Sequence, residues 1–160
     1  MKLLSPVISS IARLRKWRID NWINHPVAAQ REVLQHLVTS AQYTEFGRKY
    51  SFHKLFNVKE FKAVVHEYED LKPYIERMMQ GKENILWNEP VYWFAKSSGT
   101  SCDRSKFIPV SDESLQYNHY KANKDVLSNY YKYFPSSDLL TGKGLVVGGS
   151  HQISKVNDQV

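Results

Sequence analysis

The segment FAKSSGTSCDRSKFIPVS, residues 94–111, decides the fold of this chain. It joins two short stretches, VYWFAK (91–96) and KFIPV (106–110), which are rich in aromatic and β-branched residues, as strands are. A run of small hydroxyl residues around one glycine separates them. The segment therefore predicts two strands joined by a polar loop.

The loop contains the residue types that bind a phosphate group. Gly99 lets the backbone approach an anion closely and adopt a positive φ. The hydroxyl residues around it offer side-chain donors and a run of backbone amides, and Lys106 adds a positive charge. The candidate phosphate-binding residues are Ser97, Ser98, Gly99, Thr100, Ser101 and Lys106.

The loop does not have the spacing of the common nucleotide motifs. The chain contains neither the G-x-x-x-x-G-K-[ST] of a P-loop nor the G-x-G-x-x-G of a dinucleotide site, and GKG at 142–144 lacks the spacing too. A solvated hairpin loop is the alternative, because Ser, Gly and Thr are common in turns. Cys102 has no neighbouring histidine to activate it, so a catalytic thiol is not expected.

The residues before the loop are predicted to be mainly helical up to about residue 85. Pro26 begins a helical pattern over 26–41. The apolar stripe of this pattern consists of Val27, Val33, Leu34, Leu37 and Val38. A third helix is predicted over about 58–68, with Phe61, Val64 and Val65 as its apolar positions. A fourth is expected from near Glu69 to a stop at Gly81.

The segment YTEFGRKYSF, residues 43–52, lies between the second and third helices. Gly47 is expected to break any helix there, and aromatic residues cluster around it. The segment is therefore predicted to be an ordered loop.

The N-terminus MKLLSPVISSIARLRKWRIDNW lacks the unbroken apolar core of a secretory signal, because Pro6 and two serines interrupt it. Its apolar residues recur at about helical spacing. These residues are Leu4, Ile8, Ile11, Ile19, Trp22 and Ile23. A first helix packed on its own protein is expected, with a basic helix lying on a membrane surface as the alternative.

A helix over about 112–131 is predicted after the second strand, with Ser111 as its N-cap. TGKGLVVGGS, residues 141–150, indicates a turn and a buried strand. The fold class is therefore α/β: a helical N-terminal region followed by the start of a mixed or parallel sheet. The sheet looks incomplete, because a parallel sheet needs further strands and a covering layer on each face.

The composition narrows the class of protein. The chain has 160 residues, 42% of them hydrophobic, and a formal net charge of +6. Its basic residues are spread along the chain, so a nucleic-acid partner is not expected. No apolar run approaches the ~20 residues that span a bilayer, so membrane insertion is not expected either. A single cysteine, Cys102, fits a reducing compartment such as the cytoplasm, and the scattered histidines form no zinc site.

Three separated segments together resemble the auxin-responsive-promoter family of acyl-acid amido synthetases, particularly its bacterial branch. They are TEFGRKYSF (44–52), YEDLKPYIERMMQGKENILW (68–87) and WFAKSSGTSCDRSKFIPVS (93–111). The resemblance extends over most of residues 20–150, in the same order and at compatible spacing. The last segment also resembles the phosphate-binding signature of adenylate-forming enzymes in general.

This resemblance implies an enzyme that binds ATP with Mg²⁺ and a small-molecule carboxylic acid. In such enzymes the carboxylate attacks the α-phosphate, pyrophosphate leaves, and an amino acid amine then attacks the acyl-adenylate to give an amide. The phosphate loop would be Ser97–Ser101 with Lys106. In the family, the helix after Ser111 would line the acyl-substrate side, but the resemblance assigns no named contact there. Ordinary packing against the sheet is expected for Tyr117 and Tyr120, with walls of the acyl pocket as the alternative. The resemblance assigns no catalytic or metal-binding residue within this chain.

The chain departs from the family in two positions and in length. Asp103 stands where many relatives have glycine, and Val64 where many have proline. Family members are much longer, so residues 1–160 are expected to be the N-terminal part of one adenylate-forming domain, inactive without the C-terminal part of the same enzyme. Two alternatives remain, a non-catalytic nucleotide-binding module and a membrane-surface protein. The identity of the acid and of the amine is not predicted.

Overall fold

A computed structural model of the chain describes residues 15–62, 64, 66–97, 106–137, 139 and 143–145. The chain divides into two compact units. Of the described residues, the larger unit contains those between 27 and 115, and the smaller contains 15–26 and those between 116 and 145. The prediction of one adenylate-forming domain over 1–160 stays a prediction.

The elements follow the predicted order of a helical region and then strands. The helices are α1 (15–24), α2 (Pro26–Ala41), α3 (Glu45–Lys49), α4 (Val58–Lys62), α5 (Tyr68–Met79) and α6 (Lys121–Tyr133). A 3₁₀ turn spans Phe52–Lys54, and a π-helical segment, Ser114–Tyr120, precedes α6. The strands are β1 (Trp93–Lys96) and β2 (Phe107–Val110). The predicted fold class is confirmed, and α2 has the predicted bounds. In the described part of the chain, no helix is both long and apolar enough to cross a membrane.

The two strands form an antiparallel pair in which Trp93 lies opposite Val110 and Lys96 opposite Phe107. A short connection between adjacent strands requires this orientation, so the parallel alternative does not apply to this pair. Phe94 packs against the core, whereas Trp93 and Ile108 on the other face are exposed.

The core of the larger unit consists of two groups of buried side chains. Val38 and Ala41 of α2 pack with Phe46 and Phe52. Met78 of α5 packs with Ile85 and Val91 in the chain that leads to β1.

The predicted apolar stripe of α2 is only partly correct. Val38 is buried and Leu34 partly buried, but Val27, Val33 and Leu37 are exposed. Residues 34, 38 and 41 share one face because they are spaced by four and three positions. Val33 lies off that face. Val27, seven positions before Leu34, is on the same face but in the first turn of the helix, and Leu37 lies at the edge of the face; both are exposed.

The prediction of a loop at residues 43–52 is wrong in part, because Glu45–Lys49 is helical. Thr44, which is fully buried, caps this helix: its Oγ1 accepts a hydrogen bond from Gly47 N–H at 2.9 Å. The same hydroxyl donates to the Ala41 carbonyl at 2.7 Å. A Cβ at Gly47 would lie 2.0 Å from that carbonyl oxygen, so glycine is present for close packing and does not break the helix.

The predicted third helix over 58–68 is too long. The α4 helix ends at Lys62, and Glu67 is extended, with φ −74° and ψ 160°. The next helix begins at Tyr68, where Glu67 N–H donates to the Asp70 carboxylate at 3.2 Å. That helix ends as predicted before Gly81, which has a φ of 81°. Val65 lies outside the described residues.

In the smaller unit, α1 and α6 are joined by charged side chains. Arg15 forms a bidentate ion pair with Asp125, in which Nη2 lies 2.8 Å from Oδ2. The hydrogen bonds that Arg15 donates to the Asp125 carboxylate raise the pKa of Arg15. The Trp22 ring lies near two cations, 5.4 Å from Arg15 and 5.5 Å from Lys121. The predicted first helix is confirmed for 15–24, and its predicted apolar residues before position 15 lie outside the described part.

Ser111 caps the helical segment that follows β2, as predicted, because its Oγ accepts a hydrogen bond from Ser114 N–H at 3.1 Å. Helical structure then continues to Tyr133. Of the strand predicted within 141–150, only residues 143–145 are described, and they are irregular.

Candidate functional site

The strand pair brings Ser97 and Lys106 together at the base of the predicted phosphate loop. Ser97 N–H donates to the Lys106 carbonyl at 2.9 Å. In return, Lys106 N–H donates to Ser97 Oγ at 3.1 Å. The predicted phosphate-binding residues Ser98, Gly99, Thr100 and Ser101 lie outside the described residues, as do Cys102 and Asp103.

This pairing determines what the Ser97 hydroxyl can do. Its oxygen is an acceptor for the backbone of Lys106, and a hydroxyl carries one donor besides its acceptor positions. The O–H of Ser97 is therefore suited to donate to an anionic oxygen.

The Lys106 side chain is partly buried and lies against the ring of Tyr68. Its Nζ is 5.1 Å from the ring centroid, within the range of a cation–π contact. No carboxylate of the described residues lies within ion-pair distance of this ammonium group, since the ion pairs found there involve other cations. Its charge is thus not neutralised by that part of the chain.

Tyr68 contacts Phe107 as well as Lys106, and the sequence did not indicate its place at this site. Its hydroxyl accepts a hydrogen bond from Phe107 N–H at 2.9 Å and donates a longer one, 3.3 Å, to the Phe107 carbonyl. The two residues are 39 positions apart, so no local pattern could have indicated the pairing.

The other two segments of the resemblance also contact each other. Glu45 N–H and Phe46 N–H donate to the carbonyls of Asn84 and Ile85, at 3.0 and 3.1 Å. These bonds connect 44–52 to 68–87, and the Tyr68 hydroxyl connects 68–87 to 93–111. All three segments are therefore linked within the larger unit.

An ion pair between Glu45 and Arg77 strengthens this connection. Arg77 Nη1 lies 2.7 Å from Glu45 Oε1, and the second nitrogen contacts Oε2. The hydrogen bonds from Arg77, and then its charge, lower the pKa of Glu45. The same hydrogen bonds, which Arg77 donates to the Glu45 carboxylate, raise the pKa of Arg77.

The two predicted pocket residues, Tyr117 and Tyr120, belong to the π-helical segment, and both side chains are exposed. Lys121 Nζ lies 5.8 Å from the Tyr117 ring. The Tyr120 ring lies 5.6 Å from that of His119. Their role in an acyl pocket stays a prediction.

The groups at the base of the loop are suited to an anionic ligand. One hydroxyl donor and one ammonium without a described carboxylate partner are the groups that bind phosphoryl oxygens. Within the described ranges, no three His, Cys, Asp or Glu side chains are grouped as metal ligands.

Comparison with known proteins gives the family context. The model of the GH3 family N-terminal domain matches residues 15–158. The chain is 34% identical over 100 residues to the indole-3-acetic acid-amido synthetase GH3.2 of Arabidopsis thaliana, covering 61% of this chain and 18% of that protein. It is 30% identical over 130 residues to the indole-3-acetic acid-amido synthetase GH3.4 of the same organism, covering 79% of this chain and 21% of that protein.

A rice protein is similar to the same degree. The chain is 34% identical over 91 residues to the probable indole-3-acetic acid-amido synthetase GH3.2 of Oryza sativa subsp. japonica, covering 55% of this chain and 15% of that protein. The chain thus spans about a fifth of the length of the relatives it matches. These relatives are plant proteins, so the bacterial branch stays a prediction.

Proposed function

The chain belongs to the GH3 family, and from this we propose that it is the N-terminal segment of an ATP-dependent acyl-acid amido synthetase. The parent enzyme would join a carboxylic acid to the α-phosphate of ATP with loss of pyrophosphate, and an amino acid amine would then attack the acyl carbonyl to form the amide, with AMP as the leaving group. The observation that carries the proposal is the pairing of Ser97 with Lys106 at the base of the loop. The pairing holds the backbones of the two residues together, and we propose that the Ser97 hydroxyl and the Lys106 ammonium then serve as a donor and a cation for ATP phosphates.

ATP supplies an electrophilic α-phosphorus and a pyrophosphate leaving group. The task of this chain is to hold the phosphates and offset their charge, because phosphoryl chemistry depends on positioning and electrostatic stabilisation. Lys106 provides the positive charge and Ser97 a hydroxyl donor. Ser98, Gly99, Thr100 and Ser101 are proposed to add backbone and hydroxyl donors. Mg²⁺ is proposed to accompany the nucleotide, held by ligands outside the described residues.

The proposed substrates are a small carboxylic acid and an amino acid. The names of the relatives make indole-3-acetic acid the first acid to test. Tyr117 and Tyr120 are proposed as walls of the acyl pocket. We propose that the enzyme acts in the cytoplasm, since the single cysteine within this chain suits a reducing compartment.

Conjugate formation tests this proposal. The polypeptide that carries these residues in its host is captured with an antibody to residues 43–87 and incubated with MgATP, indole-3-acetic acid and mixed amino acids. Mass spectrometry then detects acid–amino acid amides, and a panel of other carboxylic acids is tested in parallel. The isolated 160-residue chain is expected to form none.

Two lysine variants make the test specific to the site. Lys106→Met should lower the rate of conjugate formation by at least about a hundredfold, since it removes a charge from the phosphate site. Lys143→Met removes an exposed lysine elsewhere and should leave the rate unchanged. Equal rates for the two variants would contradict the assigned role of Lys106. ATP binding without conjugation of any acid would favour a non-catalytic nucleotide-binding module.

A further inference from the structure

One side of Lys106 is covered by an aromatic ring from another element. The Lys106 ammonium lies 5.1 Å from the centroid of the Tyr68 ring, where ring and cation attract each other. A lysine side chain has many rotamers, and holding it in one of them costs entropy. The ring therefore favours the rotamers that keep the ammonium near the base of the loop.

The hydroxyl of the same tyrosine holds the strand that follows the loop. Phe107 is the first residue of β2, and both its N–H and its carbonyl bond to the Tyr68 hydroxyl. In an antiparallel pair, alternate residues direct these groups away from the neighbouring strand. Tyr68 thus occupies the outer edge of β2 at the point where the loop ends.

Tyr68 is itself fixed by the core of the larger unit. It is the first residue of α5, whose Ile75 and Met78 are buried. The hydrogen bond from Glu67 N–H to the Asp70 side chain holds this end of the helix. The position of the ring is therefore set by a packed helix and not by the loop.

We propose that Tyr68 is a positioning residue of the nucleotide site. It presents the Lys106 ammonium to the ATP phosphates and fixes the first residue of β2, Phe107. This proposal rests on the proposed function, since it takes Lys106 to be a phosphate ligand. Tyr68 acts through Lys106 and Phe107, and it has no need to touch the nucleotide.

Two substitutions separate the hydroxyl from the ring, and a third is a control. Tyr68→Phe removes only the hydroxyl, and Tyr68→Leu removes the ring as well. Tyr92→Phe removes the hydroxyl of an exposed tyrosine. NMR of the 160-residue chain and of each variant gives the amide exchange rate of Phe107 and the ring-current shift of the Lys106 side-chain protons. A calorimetric titration with MgATP of the polypeptide that carries this chain in its host, and of the same variants of that polypeptide, gives the affinity.

Each part of the tyrosine has its own expected signature. Tyr68→Phe should speed amide exchange at Phe107 by about tenfold, which is the effect of losing one hydrogen bond. The upfield shift of the Lys106 protons should remain, because the ring is still present. Tyr68→Leu should abolish that shift. The Kd for MgATP should rise by about threefold to tenfold in Tyr68→Phe and further in Tyr68→Leu, and Tyr92→Phe should match the wild type in all three measurements.

Different results count against different claims. Unchanged Lys106 shifts in Tyr68→Leu, or unchanged affinity in both Tyr68 variants of a chain that binds MgATP, overturns the positioning role and leaves the phosphate site standing. No binding of MgATP by the wild-type polypeptide that carries this chain in its host, with both NMR signatures present, overturns the phosphate site and with it the positioning role.

Discussion

Gly47 shows at the scale of a single residue how packing can outweigh propensity. Glycine is unfavourable in a helix, yet Gly47 lies within α3. Position 47 has to be glycine because any side chain there would meet the Ala41 carbonyl. The sequence could not reveal this, because the carbonyl belongs to the end of the preceding helix. The sequence shows that position 47 is glycine, but it does not show the close backbone contact that requires glycine there.

Gly47→Ala should therefore destabilise the chain strongly. The added Cβ would lie 2.0 Å from the Ala41 carbonyl oxygen, so the backbone must shift, which lowers the free energy of unfolding by about 3 kcal/mol. Urea unfolding measures the change. Gly144→Ala is the matched control, because nothing lies within 4 Å of a Cβ there, and it should have little effect. Equal stability of the two variants would contradict the packing explanation.

Glu45 gives a second test at the residue scale, through its pKa. The hydrogen bonds and charge of Arg77 lower this pKa, so Arg77→Gln should raise it towards the ordinary value. Because the folded pKa is lowered, the stabilisation is present above the unfolded pKa of about 4.3 and is lost as the pH falls through the folded value. An NMR titration of the Glu45 side chain measures the shift.

Lys82 provides the control for this titration. It acts on Glu45 only through its charge and is the weakest of the causes that lower the pKa. Lys82→Gln should therefore change the pKa of Glu45 less than Arg77→Gln does. The reverse order would show that the ion pair is not the main cause.

At the scale of elements, the sequence indicated those whose signals are local. The bounds of α2 follow from Pro26 and the helical pattern after it, and both strands follow from their aromatic and β-branched composition. The helix predicted over 58–68 was too long because a new helix starts at Tyr68. The extended residue before it, Glu67, gives no strong sequence signal of a break.

The cap of α3 can be tested by removing one hydroxyl. Thr44→Val keeps the shape of the side chain but leaves Gly47 N–H without its acceptor in a buried place. The free energy of unfolding should fall by about 2 kcal/mol. Thr39→Val in α2 is the control, since Thr39 is exposed. A similar fall in the free energy of unfolding in both variants would show that the hydrogen bond of the Thr44 cap does not stabilise the fold.

At the scale of the whole molecule, three segments that are separate in sequence are connected in the larger unit. Backbone bonds from Glu45 and Phe46 reach Asn84 and Ile85, and the Tyr68 hydroxyl reaches Phe107. The order of the segments indicated the family, which the comparison confirmed. The contacts between them were not predictable, because they depend on long-range packing.

The candidate site was predictable to a smaller extent than the fold. The polar loop between two strands indicated phosphate binding, and the strand register does bring Ser97 beside Lys106. The role of Tyr68 was not predictable, because its partners lie on a strand 39 positions away. Residue types identify the groups that could bind phosphate, and only the fold shows what holds them.

Carboxylate-dependent ATP–pyrophosphate exchange tests the central claim most directly. The measurement uses the polypeptide that carries this chain in its host, with labelled pyrophosphate, MgATP and the panel of acids. We expect exchange that requires one of the acids and is lost in Lys106→Met but kept in Lys143→Met. Exchange that needs no acid, or a folded polypeptide that shows none with any acid of the panel, would contradict the assignment as an acyl-acid amido synthetase.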